Sequence, residues 1–177
     1  MRKILFICAT AIFSLCAAVP LAMAVDADDD IKPDENEKIT FDGQETTAES
    51  AEIEAKFPNE AKAVRETLNQ HISHVTKRDL DGYMNDFAPE RMRYPELERE
   101  YAQRAMALKD LVVEVKAIEF AHLNRTSATV HTRQISTYIN DDGKKVIDDA
   151  IISYRLIPGK DSGWKIAFTE RKRLVAQ

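Results

Sequence analysis

The chain has 177 residues and a formal net charge of −5, which results from 30 acidic and 25 basic side chains. Ten of the acidic residues lie between Val25 and Ser50, so that from Ala51 onward 20 acidic residues are balanced by 21 basic ones. A nearly neutral domain without a basic stripe argues against a nucleic-acid partner. A domain of about 125 residues is long enough for one hydrophobic core.

Residues 1–24 have the pattern of an export signal. Two basic residues precede an apolar run at 4–19, and residues 22–24 are the small residues that a signal peptidase requires. The alternative is an uncleaved anchor, although a bilayer needs about 20 apolar residues. Both cysteines, Cys8 and Cys16, lie in this segment, so the mature chain is predicted to have no disulfide and no cysteine-ligated metal. We expect an exported protein, periplasmic or secreted, without stable membrane insertion after cleavage.

Residues 25–50 are strongly acidic and contain few apolar side chains. Such a segment cannot bury enough surface to offset the entropy that ordering costs. The sequence therefore predicts a flexible acidic leader at 25–50, followed by one domain at 51–177.

The first predicted helix begins near Pro58, with Asn59 as its N-cap. Its apolar residues recur at spacings of three and four and form one stripe: Ala61, Val64, Leu68, Ile72 and Val75. A stripe of this kind faces a core. Ala51, Ile53 and Phe57 predict a short lead-in helix that packs on the same surface.

Two further helices are predicted. Asp79 is the expected cap of a short second helix, which Ala88-Pro89 ends. The third is predicted from Pro95 to Lys109, with an apolar face made by Leu97, Tyr101, Ala105 and Leu108. Residues 91–94, between these two helices, are predicted to form a short edge strand.

The hydrophobic period becomes strand-like after Leu111. Runs at 112–120, 127–139, 146–157 and 164–172 are rich in β-branched and aromatic residues, and Asn140-Asp141-Asp142-Gly143 is the strongest turn signal between them. The runs predict an antiparallel meander, with a bulge between His131 and Ile135 where the alternation weakens. Three helices before such a meander predict an α+β fold in which the helices pack on one face of a curved antiparallel sheet.

Alternation within the strands assigns side chains to the two faces of the sheet. Trp164, Ile166 and Phe168 are predicted to point inward, with Glu170 in phase with them. The third strand is apolar on both faces, and its outer residues are Ile147, Ile151 and Ile157. An apolar outer face predicts a homodimer that forms through the sheet.

Three segments together resemble a known superfamily: Arg78-Asp79-Leu80-Asp81-Gly82, Phe87-Ala88-Pro89-Glu90 and Gly163-Trp164-Lys165-Ile166. They resemble the nuclear transport factor 2-like superfamily, which includes SnoaL-like cyclases and ketosteroid isomerases, over residues 60–173. The resemblance implies a cone-shaped α+β barrel, in which helices close a curved sheet around a pocket and many members pair through their sheets. Because one such fold hosts enzymes, adaptors and assembly domains, function has to be argued from the pocket residues.

The resemblance does not extend to the residues that ketosteroid isomerases use. The position of their oxyanion-binding phenol is His71 here, the position of their general base is Pro95, and the position of their protonated acid is Ile152. Without a carboxylate base and a second donor, proton abstraction next to a carbonyl loses its main sources of stabilisation. We therefore do not expect ketosteroid isomerase activity.

Three residues are candidate acid–base groups: His71, Asp148 and Glu170. Their structural alternatives are a boundary histidine, a solvated rim carboxylate and a salt-bridged surface residue. His71-x-x-His74 lacks the spacing and the glutamate of a zinc protease, and no phosphate loop or cofactor fingerprint is present, so we expect no metal and no cofactor. Aromatic residues are expected to line a pocket or, alternatively, to be ordinary core: Tyr83, Tyr101, Tyr138, Tyr154 and Trp164.

Three functions are consistent with these patterns. The first is an exported domain that works by binding and not by catalysis, with a small apolar ligand in its cone or a protein partner on its sheet. The second is a SnoaL-like enzyme acting on a small carbonyl substrate, which requires at least two of His71, Asp148 and Glu170 to converge in one closed pocket. The third is an assembly domain of an envelope machine, which requires the first segment to remain as an anchor.

Overall fold

The computed structural model describes residues 47–160 and 163–173. In chain order its elements are α1 (Ala48–Lys56), α2 (Pro58–Lys77), α3 (Leu80–Asn85), a 3-10 turn (Pro89–Arg91), α4 (Pro95–Met106), β1 (Lys109–Leu123), β2 (Ala128–Ile139), β3 (Lys145–Pro158) and β4 (Trp164–Arg173). The expected export signal at 1–24, and the leader up to residue 46, lie outside the described residues. No helix within the described ranges is long and apolar enough to cross a membrane.

The helix α1 confirms the predicted lead-in helix and begins before the expected domain boundary. The Thr47 side chain caps it by accepting a hydrogen bond from the Ser50 backbone N–H at 3.2 Å. Ser50 is buried, and its Oγ accepts a hydrogen bond from the Phe120 N–H of β1 at 2.9 Å. Residues 47–50, which composition assigned to the acidic leader, therefore belong to the domain and satisfy a backbone donor on the first strand.

The start of α2 agrees with the prediction, but its cap does not. The helix begins at Pro58, Phe57 holds the N-cap position, and no side chain caps the first turn. The prediction that Asn59 caps the helix was wrong because proline already suits the first helical position, where its missing N–H has no partner to lose. The cap of α3 is confirmed, since the Asp79 carboxylate accepts from the Gly82 N–H at 2.9 Å.

The helix α4 presents a different face to the core from the one predicted. Its buried side chains are Ala102 and Met106, whereas Ala105 is exposed. Glu98, four residues before Ala102, also points inward, where it accepts a hydrogen bond from the Tyr83 hydroxyl. The expected edge strand at 91–94 is absent from the described structure, where the chain forms the 3-10 turn that begins at Pro89.

The four strands form one curved, unclosed antiparallel sheet in the order β1-β2-β3-β4. The register between β2 and β3 is uninterrupted, so the bulge predicted in the second strand is wrong. The extra residues lie on the two edge strands instead, for example between Val115 and Ala117 of β1. Bulges increase local bending and twist, and on β1 this irregularity faces the part of β2 where the alternation weakened.

A bulge on β4 reverses the predicted orientation of that strand's second half. Leu156 of β3 pairs with Ile166, but the preceding Arg155 pairs with Phe168, which leaves Ala167 as an extra residue. Thr169 is therefore on the buried inner face. The predicted inward orientation of Phe168 and Glu170 was wrong, because a one-residue insertion moves every later side chain to the opposite face.

The core lies between the helices and the inner face of the sheet. It includes Val64 and Leu68 of α2, Tyr83 of α3, Met106 of α4, and the strand residues Phe120, Val130, Tyr154, Leu156 and Ile166. Each fully buried aliphatic side chain contributes about 1.5–3 kcal/mol. The helices followed by this curved sheet confirm the predicted α+β cone.

Candidate functional site

A cluster of polar side chains lies inside the cone, between α2 and the end of α3. Asp86 Oδ2 is 3.0 Å from His71 Nδ1 and 2.9 Å from His74 Nδ1. The two histidines are one helical turn apart on α2 and approach the same carboxylate oxygen. Because an ionised carboxylate only accepts hydrogen bonds, both imidazoles donate through Nδ1–H. We call Asp86, His71, His74, Tyr83 and Glu98 the interior cluster.

The backbone on either side of Asp86 attaches it to the sheet. The Ile166 N–H donates to the Asp86 carbonyl at 2.8 Å, and the Ala88 N–H donates to the Ile166 carbonyl at 2.8 Å. Phe87 thereby forms a parallel bridge with Ile166 on the edge strand β4. Segment 86–88 is thus fixed against β4 while the Asp86 side chain is fixed against α2.

Aromatic rings enclose His71. Its ring centroid is 4.6 Å from that of Tyr83, with the planes inclined by 29°. Phe87 and Tyr154 present their rings edge-on at 5.5 and 6.0 Å. These separations are those of packed aromatic pairs, and His71 is buried among them.

Tyr83 and Glu98 form the far side of the cluster. The Tyr83 hydroxyl donates to Glu98 Oε1 at 2.8 Å. Burial raises the pKa of Glu98, while the Tyr83 hydroxyl and the nearby His71 oppose that shift. Burial, reinforced by the negative charge of Glu98, also raises the pKa of Tyr83. The phenol therefore remains protonated and acts as a hydrogen-bond donor.

Tyr154 joins the cluster to a polar group on the sheet. Gln134 Nε2 donates to the Tyr154 hydroxyl at 2.9 Å and to Thr132 Oγ1 at 2.8 Å. Burial raises the pKa of Tyr154 to about 12. Gln134 thus links Thr132 of β2 with Tyr154 of β3.

The predicted pocket residues lie in several places. Tyr83, Tyr154 and Trp164 belong to the core, Tyr138 is buried near the end of β2, and Tyr101 on α4 is half-buried. Two concavities of about 460 and 540 Å³ lie on the surface, beside α1 and α2 and at the end of α4. Neither is lined by the interior cluster. The rings packed around His71 and the interior cluster lie between the helices and the sheet, where a hollow lined by hydrocarbon was expected.

The three predicted acid–base residues do not converge. Asp148 is buried on the inner face, as its phase predicted, and forms an ion pair with Arg171. It lies six residues before Tyr154 on β3, which corresponds to roughly 20 Å. Glu170 is on the opposite face of the sheet. The enzyme hypothesis therefore lacks the pair of residues on which it was first based.

Asp86 and Glu98 were missed by the sequence analysis. Asp86 follows a short helix and precedes Ala88-Pro89, so it was interpreted as part of a helix end. Glu98 was interpreted as an acid that complements a helix start. The available signal was the pair His71 and His74, because two imidazoles on one side of a helix indicate a shared acceptor nearby.

The interior cluster can hold and transfer protons, but it does not form a metal site. Within the described residues, no group of three or more His, Cys, Asp or Glu side chains is placed to hold a metal ion. Asp86 fixes the orientation of His71 and leaves its Nε2 as the acceptor, which is the arrangement of a general base. For His71 to act in that way, a substrate would have to enter among the surrounding rings.

Comparison with known families identifies one match over most of the domain. The family model of the C-terminal domain of the anti-sigma-I factor RsgI9 matches residues 66–175. No curated protein sequence matches the chain significantly.

Solved structures that resemble the chain share its fold at low sequence identity. A candidate dehydratase of the NTF2-like family from Streptomyces avermitilis has a TM-score of 0.57 and 10% identity, over 67% of this chain and 99% of its own. An NTF2-like superfamily protein from Salmonella enterica serovar Typhimurium has a TM-score of 0.56 and 14% identity, over 65% and 91%. A candidate scytalone dehydratase from Novosphingobium aromaticivorans has a TM-score of 0.55 and 10% identity, over 73% and 89%.

These similarities support the fold alone, because one fold hosts many activities. The family match is independent of them and runs from within α2 through β4. The chain belongs to the family of the C-terminal domain of the anti-sigma-I factor RsgI9, and its domain has the nuclear transport factor 2-like fold.

Proposed function

We propose that the protein is exported and acts without catalysis, as a binding and dimerisation domain that takes a second copy or another protein on the outer face of its sheet. The observation that carries the proposal is a row of side chains on that face. Val112 pairs with Thr137, and Thr137 pairs with Ile147, so the three lie side by side across β1, β2 and β3. Val112 is 50% exposed and Ile147 is 67% exposed.

Exposed apolar residues in register differ from scattered ones. Single apolar side chains on a surface are ordinary, whereas neighbouring ones can be covered together by a partner. Ile135, half-buried, lies two residues from Thr137 on the same face of β2 and extends the apolar surface. The surface therefore suits another protein surface better than a small molecule.

The interior supports the non-catalytic part of the proposal. Its acid–base groups bond to one another beneath packed rings, so a substrate would have to displace both. The protein after which the family is named is called an anti-sigma factor, and that name describes regulation and not catalysis. A small apolar ligand in the cone is the other form of this proposal, and it requires the rings around His71 to separate.

Ile147→Asp tests the proposed surface. We expect the dimer of the full chain to weaken by about 10–100-fold, because losing one buried isoleucine contact costs about 1.5–3 kcal/mol. Sedimentation velocity over a concentration series measures the change. Tyr94→Asp is the matched control, since Tyr94 is also exposed but lies beside α4, and this variant should dimerise normally. A monomeric wild type, or an unchanged Ile147→Asp dimer, would contradict the proposal.

A second candidate function is favoured by the bond between His71 and Asp86. In this alternative the domain is a SnoaL-like enzyme, His71 is the general base, Asp86 orients it, and the Tyr83 hydroxyl leaves Glu98 to donate its hydrogen bond to a small carbonyl substrate. Turnover of a panel of such substrates should then be lost in His71→Gln while the circular dichroism spectrum is unchanged. Absence of turnover by the wild type across the panel would favour the binding role.

A further inference from the structure

A polar row crosses the middle of the outer face of the sheet. Glu119 of β1 pairs with His131 of β2, His131 pairs with Ser153 of β3, and Ser153 pairs with Glu170 of β4. Because directly paired residues point to the same side of a sheet, the four side chains form one line, with a carboxyl group at each end. We call this line the outer row.

Glu119 is buried although it lies on the face opposite the helices. Glu119 is only 8% exposed, and its Oε1 accepts no hydrogen bond within the described residues. Burial raises its pKa above the ordinary value. The next residue in the row, His131, is also buried, with Nδ1 2.8 Å from Ser153 Oγ. A buried carboxylate oxygen without a donor is unfavourable, which requires an explanation.

Several titratable or charged groups surround Glu119 on the outer face. The imidazole of His131, which can itself titrate, bonds to Ser153, and Arg155 of β3 lies over the Phe168 ring. Lys116 of β1 is paired with Glu114. Arg133 of β2 forms two hydrogen bonds to Asp149 of β3, at 3.1 and 2.6 Å. On β4, Lys172 lies in the adjacent row, three strands away, and Glu170 ends the outer row itself. Among the residues that the structure describes, no cation forms an ion pair with Glu119.

A second copy on this face would bring carboxyl groups together. Two identical sheets that pack face to face are related by a two-fold axis lying between them. If the axis runs along the strands at the centre of the outer row, Ile147 meets Thr137 of the second copy and Glu119 faces Glu170 of the second copy. Two carboxylates that share a site cannot both remain ionised without a large cost.

We propose that protonation of Glu119 controls self-association through the outer face, so that the dimer takes up protons at the outer row and becomes tighter as the pH falls below neutrality. This inference rests on the proposed dimerisation of the domain. The occupant is a second copy, because Val112 and Ile147 offer apolar contacts on the same face and the domain is nearly neutral overall. Two such domains repel each other little at a distance, so the pH dependence of the affinity arises from contact at the outer row.

The test is the dimer dissociation constant of the full chain between pH 7.5 and pH 5.0, measured by sedimentation velocity. We expect the wild-type dimer to be at least about tenfold tighter at pH 5.0, because uptake of one proton changes the constant by up to about tenfold per pH unit. Glu119→Gln replaces the carboxyl with a neutral group of the same shape. Its dimer should be tighter than the wild type at pH 7.5 and nearly independent of pH.

Glu114→Gln is the matched control. Glu114 lies on the same strand and the same face, but it is exposed and paired with Lys116. This variant should keep the wild-type pH dependence. Glu119→Leu is a second neutral replacement in case the glutamine variant does not fold, and circular dichroism at both pH values checks folding.

The outcomes separate this inference from the proposed function. A wild-type dimer whose affinity does not change with pH would overturn the role of Glu119 and leave dimerisation standing. A pH dependence that persists in Glu119→Gln would assign the effect to another group and would also overturn the inference. A wild type that remains monomeric at every pH would overturn both.

Discussion

Replacing Asp86 with alanine tests whether the interior cluster holds the cone together. The substitution removes the acceptor of two histidine hydrogen bonds but leaves the backbone contacts of residue 86 with Ile166 in place. Any loss of stability can therefore be attributed to the side chain. The cluster joins α2 to the segment that is fixed on β4, so this side chain connects the helical layer to the sheet.

The expected magnitude depends on how well water can replace the carboxylate. A hydrogen bond to a charged group contributes about 1.5–3 kcal/mol, and a buried donor left without a partner loses the full amount. His71 is buried, so its bond counts fully. The His74 side chain is 15% exposed, so that water can replace part of its bond. Together these terms predict a loss of about 3 kcal/mol of unfolding free energy, or about 10 °C in Tm for a domain of this size.

Urea denaturation followed by circular dichroism measures this loss. The matched control is Asp81→Ala, because the Asp81 side chain is 83% exposed and pairs with Arg99 on the surface. Exposed pairs contribute about 0–1 kcal/mol, so this variant should be almost as stable as the wild type. An Asp86→Ala domain that loses less than about 1 kcal/mol would refute the reasoning, since the two histidines would then be satisfied equally well without the carboxylate.

Two other substitutions test single features of the fold. Burial raises the pKa of Glu98, so its favourable contribution is present below its ordinary value of 4.5 and is lost as the pH rises through the higher folded-state value. Glu98→Gln should therefore flatten the dependence of unfolding free energy on pH between about 4.5 and 7, and an unchanged slope in denaturation curves would contradict this. Gly143 has a φ of 73° and open space around its Cα, so Gly143→Ala should cost about 1 kcal/mol through the backbone alone. An equally stable alanine variant in the same assay would contradict that account.

The layout of the fold was predictable because it depends on periodicity and turn chemistry. Helical spacing identified α2, and Asp79 and Pro95 correctly marked the starts of α3 and α4. The Asn140–Gly143 turn was found because glycine adopts the left-handed conformation that the tight connection requires. These signals are local, so a single sequence contains them.

Side-chain orientation after a bulge was not predictable, because a bulge adds one residue without a clear change in composition. Ala167 is the extra residue on β4, and it placed Glu170 and Phe168 on the face opposite to the one expected. The outer row could not be seen for the same reason. It exists only once the register of all four strands is known.

The interior cluster was not predictable because its members come from three separate helices. His71 alone had the pattern of a boundary residue, and Asp86 alone had that of a helix end. The bridge between Phe87 and Ile166, which is a tertiary contact, fixes the segment that holds the carboxylate against α2. Sequence spacing carries no record of that contact.

The aromatic contacts of His71 limit the enzymatic alternative. A substrate that used His71 would have to separate it from three surrounding rings, and losing these contacts at about 0.5–1.5 kcal/mol each costs about 3 kcal/mol in total. An equilibrium penalty of this size leaves the open form at less than about 1% of the population. The apparent affinity for a substrate would fall by the same factor, more than about 100-fold, unless binding contacts offset the cost. No comparable barrier protects the outer face, where Val112 and Ile147 are already exposed. Binding on the sheet therefore requires less reorganisation than catalysis in the cone.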